Sequence, residues 1–170
     1  EMSASVGEWR TALRARLGDD LVLSERDAMI PYCRDWHGDV TSDAVAVLRP
    51  RSTEQVAEAV KLCRELGLSI VPQGGKTGLV LGGIPDAGQN QVVLSLERMN
   101  RIRQIDADDF SAVVEAGCIL SELKDAIAEK GMFFPLALGA QGTCRIGGNV
   151  SPNAGGINVL RYGMTRELVF

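Results

Sequence analysis

The stretch Gly74-Gly75-Lys76-Thr77-Gly78-Leu79-Val80-Leu81-Gly82-Gly83 holds five glycines in ten residues and directly follows an apolar run ending at Val71 and Pro72. A loop of this kind presents successive backbone N–H groups with no Cβ in the way, so one anion can receive several of them. It reads as a pyrophosphate cradle, with Pro72, Gly74, Gly75, Lys76, Thr77, Gly78 and Leu79 as its candidate residues. A plain surface loop is the alternative, disfavoured by the Lys-Thr pair among the glycines and the strand before them. Lys76 has two open roles, a charge-assisted contact to phosphate or a solvated surface lysine. Two familiar nucleotide motifs fail. A Walker A loop needs a glycine where Ile70 stands, and a G-x-G-x-x-G needs two glycines separated by one residue, a pair this chain lacks.

A second cluster runs from Gly139 through Ala140, Gln141, Gly142, Thr143, Cys144, Arg145, Ile146, Gly147, Gly148 and Asn149 to Asn153, Gly155 and Gly156. Small residues let backbone pack against a flat ligand face, while short polar side chains hydrogen-bond its edges. The candidates are Gly139, Thr143, Gly147, Gly148, Asn149, Asn153 and Gly156. Each alone reads equally well as a turn residue; the length and composition of the stretch favour a binding wall.

Composition narrows the possible partners. The 18 basic and 22 acidic residues leave a net charge of −4 with no basic stripe, and aromatics are 5%, too few for base-stacking platforms. Nucleic acid is therefore not expected. No apolar run approaches the roughly 18–20 residues of a membrane span, and no basic-then-apolar leader is visible. A cytoplasmic or organelle-matrix location is expected. Cys33, Cys63, Cys118 and Cys144 are scattered with no C-x-x-C, and His37 is the only histidine, so four reduced thiols and no metal site are expected.

These loops need a frame. Val6, Trp9, Leu13 and Leu17 keep helical spacing, and residues 1–40 read as a helical arm followed by an irregular connection. Ala44 to Leu48 is a continuous apolar strand. Ser52 or Thr53 then offers an N-cap for a helix whose apolar face runs from Val56 to Leu66 and whose C-cap is Gly67. Ser69 to Val71 reads as a second buried strand, giving a parallel β-α-β unit, and Gln91 to Leu96 as a third strand. Beyond a boundary near Met99–Arg103 the character changes. Ile102–Asp106 and Ala112–Glu115 form a hairpin, Leu120 to Ile127 a helix closed by Lys130-Gly131, and the chain from Phe133 to Leu160 is loop-rich. The class is α+β, a parallel unit followed by a mainly antiparallel sheet with helices.

The ordered set of Pro72-Gln73-Gly74-Gly75-Lys76-Thr77-Gly78-Leu79, Val93 to Arg101, Glu115-Ala116-Gly117-Cys118, Gly142 to Asn149, Asn153-Ala154-Gly155-Gly156 and Leu160-Arg161-Tyr162-Gly163 resembles the FAD-linked oxidoreductases of the vanillyl-alcohol-oxidase type. The likeness is greatest to the branch acting on D-2-hydroxyglutarate, D-lactate and glycolate, and the PQGG start of the loop favours the first of these. It implies a PCMH-type FAD-binding fold over residues 41–170, with subdomains at about 41–101 and 102–170. It also implies truncation at the C-terminus, the substrate domain with its catalytic and metal-binding residues lying beyond Phe170. In the complete protein the expected partners are a 2-hydroxy acid and an electron acceptor, with a homo-oligomer possible.

The resemblance further implies noncovalent FAD, because a histidyl link could involve only His37, outside both clusters. Three departures stand out: Lys76 where relatives usually have Asn, Leu81 where they have Gly, and Ala137 where they often have Asp. Two other functions fit the same loops. One is a non-catalytic nucleotide-binding module. The other is an FAD-dependent enolpyruvyl-sugar reductase, which the Asn153-Ala154-Gly155-Gly156 and Arg161-Tyr162-Gly163 segments disfavour.

Overall fold

The computed structural model describes residues 5–88 and 90–170. They divide between Arg98 and Met99 into two compact units.

The first unit is built around a four-stranded sheet in the order β1-β2-β4-β3. β2 (Ala46–Leu48) and β4 (Gln91–Ser95) are its interior strands. Both read as unbroken apolar runs because interior parallel strands are covered on both faces. β1 (Val22–Leu23) runs antiparallel to β2, whereas β2, β4 and β3 (Ser69–Gln73) are mutually parallel. The β-α-β unit is parallel as expected, but β4 lies between its two strands. β3 is also not the buried strand expected. It forms the sheet edge, with Ser69 and Pro72 exposed, and Pro72 is tolerated there because an edge strand leaves one row of N–H positions unpaired.

The helices of this unit begin and end on legible signals. α1 (Val6–Leu17) opens on a capping box in which Ser5 Oγ accepts from Glu8 N at 3.3 Å and Ser5 N donates to Glu8 Oε2 at 2.6 Å. α3 (Thr53–Leu66) is capped by Ser52 and stops at Gly67, whose φ of 69° is left-handed. Residues 5–34, expected as an arm and connection, enter the core of the unit. Trp9 and Leu13 of α1 join Val45, Leu48, Ala59, Leu62 and Cys63 in one apolar cluster. On the other sheet face, Met29 and Cys33 of a second helix, α2 (Arg26–Cys33), pack with Ala44, Val47 and Val93. α2 carries Pro31 inside it, a residue that usually ends a helix, so its pattern does not announce it.

The second unit opens with the hairpin of β5 (Ile102–Asp106) and β6 (Ser111–Val114). Asp106 Oδ1 accepts from the N–H groups of Asp108 and Asp109 at 3.0 Å each, which closes the turn. Ile102, Ile105, Ala112 and Val114 pack on Cys118, Leu123 and Ile127, the last two from α4 (Leu120–Ala128). The stretch expected as loop, Phe133 to Leu160, contains α5 (Ile146–Val150) and the start of α6 (Val159–Tyr162), and a 3-10 turn follows at Thr165–Leu168. With the sequence Ile-Gly-Gly-Asn-Val, α5 shows neither period nor propensity, since glycine is the poorest helix former after proline.

Candidate functional site

In the first unit, the carboxyl ends of β2, β3 and β4 gather the polar groups, which is where parallel sheets place their ligands. The glycine-rich loop leaves β3 at Gln73, whose residue is only 2% exposed. Gln73 Nε2 donates to Tyr32 O at 2.8 Å and to Gly83 O at 2.7 Å, and its backbone O accepts from Leu96 N at 3.0 Å. One side chain thus ties the start of the loop to its far end and to α2.

The C-terminal carbonyls of α2, which lack partners within a helix, are met from outside. Lys76 Nζ donates to Pro31 O, Gln73 takes Tyr32 O, and Ser42 N donates to Cys33 O at 2.9 Å. A cation at a helix C-terminus also suits the helix dipole. Burial pushes the Lys76 amine below its usual range, with the Cys33 thiol and Glu97 pulling the other way. Lys76 is therefore a partly buried cap on α2 and not a freely solvated lysine. Its φ of 55° and the 63° of Leu81 are left-handed, so two of the three departures noted in sequence fall where a side chain costs energy.

Beside them the Tyr32 hydroxyl donates to Glu97 Oε1 at 2.5 Å. Burial first, and then the Glu97 contact, push the Tyr32 phenol above its usual range, partly opposed by Arg49. Of the residues singled out in sequence, Gly74, Gly75, Lys76 and Thr77 are half-buried, whereas Pro72, Gly78 and Leu79 are exposed. A Cβ on Gly78, Gly82 or Gly83 would find nothing within 4 Å, so the chain itself gives no packing reason for glycine there.

In the second unit the second glycine cluster is stitched to the turn after β6. Ile146 N donates to Cys118 O at 2.9 Å, Gly147 N to Ala116 O at 2.8 Å, and Arg145 Nη1 to Gly117 O at 2.5 Å. The turn is anchored by Glu115, whose side chain is 1% exposed. Its carboxylate accepts from Arg101 N at 2.9 Å, Arg101 Nε at 3.2 Å, Arg101 Nη2 at 2.9 Å and Arg103 Nη2 at 3.2 Å. These bonds, Arg101 foremost, hold the Glu115 carboxyl down at about 2.

The candidates of this cluster separate into distinct groups. Gly147 and Gly156 are needed by the chain's own packing: a Cβ on Gly147 would lie 2.8 Å from Ala116 Cβ, and one on Gly156 2.2 Å from Ala137 O. Thr143 Oγ1 donates to Ala140 O at 3.2 Å within a turn. Asn153, at φ 53°, accepts from Arg166 N through Oδ1 at 2.8 Å. Gly139 and Gly148 have open space where a side chain would stand. Asn149 differs from all of these. It is 4% exposed and its side chain meets the Cys144 thiol, a weak acceptor, while among the described residues its Nδ2 reaches no oxygen or nitrogen acceptor. A buried donor without a strong acceptor costs about 1–3 kcal/mol, and such an atom is met by ordered water or by a ligand acceptor.

A family model described as FAD binding domain matches residues 44–170. The chain belongs to this FAD-binding family. FAD is the cofactor, and the fold is the PCMH-type FAD-binding fold. This FAD-binding domain is 38% identical over 164 residues to D-2-hydroxyglutarate dehydrogenase, mitochondrial, of Bos taurus, an alignment that covers 96% of the domain and 30% of the bovine protein. It is 41% identical over 138 residues to D-2-hydroxyglutarate dehydrogenase of Xanthomonas citri pv. viticola, covering 81% of the domain and 29% of that protein. Among solved structures, alkyldihydroxyacetonephosphate synthase superposes with a TM-score of 0.81 at 20% identity, over 96% of the domain and 35% of that chain. The p-cresol methylhydroxylase structure superposes with a TM-score of 0.67 at 29% identity, over 88% of the domain and 29% of that chain. The domain thus spans about a third or less of the proteins it matches.

The residues present fit FAD. The cofactor's diphosphate needs several N–H donors at close backbone approach, and its ring needs a polar partner on a wall of small residues. Taken unit by unit, the open glycines of the first loop could serve the first need, and Gly139, Gly148 and Asn149 Nδ2 of the second unit could serve the second. Sequence reasoning missed Arg49, Tyr32 and Glu97 at the sheet's carboxyl edge. The rule that ligands collect past the ends of parallel strands would have found Arg49, which follows β2 directly, and Glu97, two residues past the end of β4.

Proposed function

We propose that this domain is the FAD-binding portion of a dehydrogenase that oxidises a D-2-hydroxy acid to the 2-oxo acid, with D-2-hydroxyglutarate favoured over D-lactate and glycolate. The similarity to D-2-hydroxyglutarate dehydrogenases of animals, plants and bacteria carries the substrate class. The unpartnered Asn149 Nδ2 carries the assignment of a cofactor wall to the second glycine cluster. Bound FAD supplies a two-electron acceptor for the hydride leaving the hydroxyl-bearing carbon.

The chain's own residues hold that cofactor. The backbone N–H groups of Gly74, Gly75, Thr77 and Gly78 would receive the diphosphate, with Pro72, Lys76 and Leu79 shaping the loop's ends and crest. Asn149 would donate to a polar edge of the ring system, and Gly139, Gly148 and Thr143 would keep its approach clear. Gly147, Asn153 and Gly156 serve by fixing the frame of the same wall through their contacts with Ala116, Arg166 and Ala137. The proposal gives this chain no proton transfer from the substrate. It takes FAD as noncovalent, since His37 stands exposed on the loop between Arg34 and Thr41. A cytoplasmic or organelle-matrix location, a small hydroxy acid and a separate electron acceptor complete the reading.

The test is to purify the complete protein, precipitate it with acid, and identify the flavin released. Turnover is then compared on D-2-hydroxyglutarate, D-lactate and glycolate with an artificial dye as acceptor. FAD in the supernatant and highest kcat/KM for D-2-hydroxyglutarate are expected. Flavin retained on the precipitated chain, or no turnover of any of the three acids, contradicts the proposal.

A further inference from the structure

The glycine-rich loop spans Gly74 to Gly83, and nothing in its composition holds it in one shape. Its two exits are nevertheless joined. Gln73 sits at the last position of β3, and its two amide hydrogens go to two carbonyls, Gly83 O at 2.7 Å and Tyr32 O at 2.8 Å. Both bonds are within ordinary hydrogen-bond length, and the residue is 2% exposed, so water does not compete for them. The first bond closes the loop across its base. The second fixes that base to α2, which packs on the sheet through Met29 and Cys33. Neither partner is a side chain, so only the donor can be changed by mutation.

We infer that Gln73 is a positioning residue for FAD: its side-chain amide clasps the base of the glycine-rich loop so that the loop's N–H groups are already arrayed when the diphosphate arrives. This rests on the reading of the loop as the diphosphate site. Gln73 itself is buried beneath the loop and acts through it. Preorganising a binding loop raises affinity by removing the ordering cost that binding would otherwise carry. Losing the clasp should therefore appear as weaker FAD binding, with little change in the core of the unit.

The experiment uses the complete protein stripped of FAD. Gln73→Met keeps length and removes both donors, and Gln73→Asn, which stays an amide but is one methylene too short to span both carbonyls, serves if the methionine variant does not fold. Hydrogen exchange is followed in peptides covering residues 74–83 and, as an internal control, 91–95; FAD affinity is measured by fluorescence titration. The expected result is faster exchange confined to 74–83 and FAD affinity lower by about tenfold or more, the scale of one lost hydrogen bond. Unchanged exchange in 74–83 overturns the clasp. A loosened loop with unchanged FAD affinity overturns the positioning role. In that case Gly78→Val separates the causes: if it lowers FAD affinity, the loop still binds FAD and only the inference about Gln73 fails. If it too has no effect, the reading of the loop fails with it.

Discussion

The carbonyl oxygen of Ala137 occupies the space that a side chain on Gly156 would need, at 2.2 Å from where its Cβ would stand. Backbone cannot swing aside as a flexible side chain can, so Gly156→Ala must push two segments apart. It should lower stability by about 1–3 kcal/mol, as overpacking does elsewhere. Gly148, in the same cluster, has open space at that point. Gly148→Ala is therefore expected to leave the melting temperature of the FAD-free protein unchanged or slightly raised and to weaken FAD binding. Equal melting shifts in the two variants would contradict the division of these glycines into packing and ligand-facing kinds.

Asn149 offers the converse test. Its Nδ2 is buried without a partner among the described residues, so Asn149→Leu, close in size, should remove a cost from the FAD-free fold while removing a donor from the proposed cofactor wall. Stability without FAD should hold or rise, and FAD affinity should fall about tenfold or more. Calorimetry of the stripped protein and a flavin titration read the two effects separately. A variant that loses stability and keeps affinity would place Asn149 among the packing residues.

Glu115 predicts an acid dependence. Its carboxyl is held at about 2 in the fold, below the ordinary value of 4.5, chiefly by Arg101. A carboxylate depressed in this way contributes stability that is fully present above about 4.5 and is lost as pH falls toward 2. Glu115→Gln should cost about 1–3 kcal/mol at neutral pH, the range for lost charge-assisted hydrogen bonds. The variant should also show a shallower loss of stability between pH 5 and pH 2, a span fixed by those two values. Arg101 and Arg103 are 69% and 50% exposed, so solvent screens their side of the pairing. Parallel stability curves for the two proteins across that span would argue against it.

Leu81 has φ 63° and is exposed, so it meets the steric cost of a left-handed residue with little burial in return. That cost is about 1–2 kcal/mol, and glycine gives back about 0.5–1 kcal/mol through the freer unfolded chain. Leu81→Gly should therefore stabilise the FAD-free protein by roughly 0.5–1 kcal/mol, read as a shift in denaturant midpoint with unchanged slope. A destabilised variant would mean that the Leu81 side chain makes a contact worth more than its strain.

The elements that could be read in advance are those with their own local signal. α1, α3 and α4 show helical spacing with a cap at one end or both, and β2 and β4 are apolar because they lie inside the sheet. α2 is hidden by Pro31, and α5 by two adjacent glycines, of which Gly147 is required by its close approach to Ala116. β3 looked buried because Ile70 and Val71 are apolar, although only strand order shows that it is an edge. Site residues follow the same division. Glycine density marks both clusters, but it cannot separate Asn149 from Asn153. That distinction depends on tertiary placement: Asn153 Oδ1 accepts from Arg166 N, whereas Asn149 is buried with its Nδ2 unpartnered among the described residues. The role of Gln73 depends on Tyr32, 41 residues away, and no local pattern encodes it.

The central claim, that this domain holds FAD for oxidation of a D-2-hydroxy acid, is tested most directly by the visible absorbance of the flavin in the complete protein under anaerobic conditions. Addition of D-2-hydroxyglutarate should bleach the oxidised flavin band, while the L-enantiomer leaves it intact. A protein that carries no flavin, or one whose flavin band stays unchanged with D-2-hydroxyglutarate, D-lactate and glycolate alike, would contradict the account.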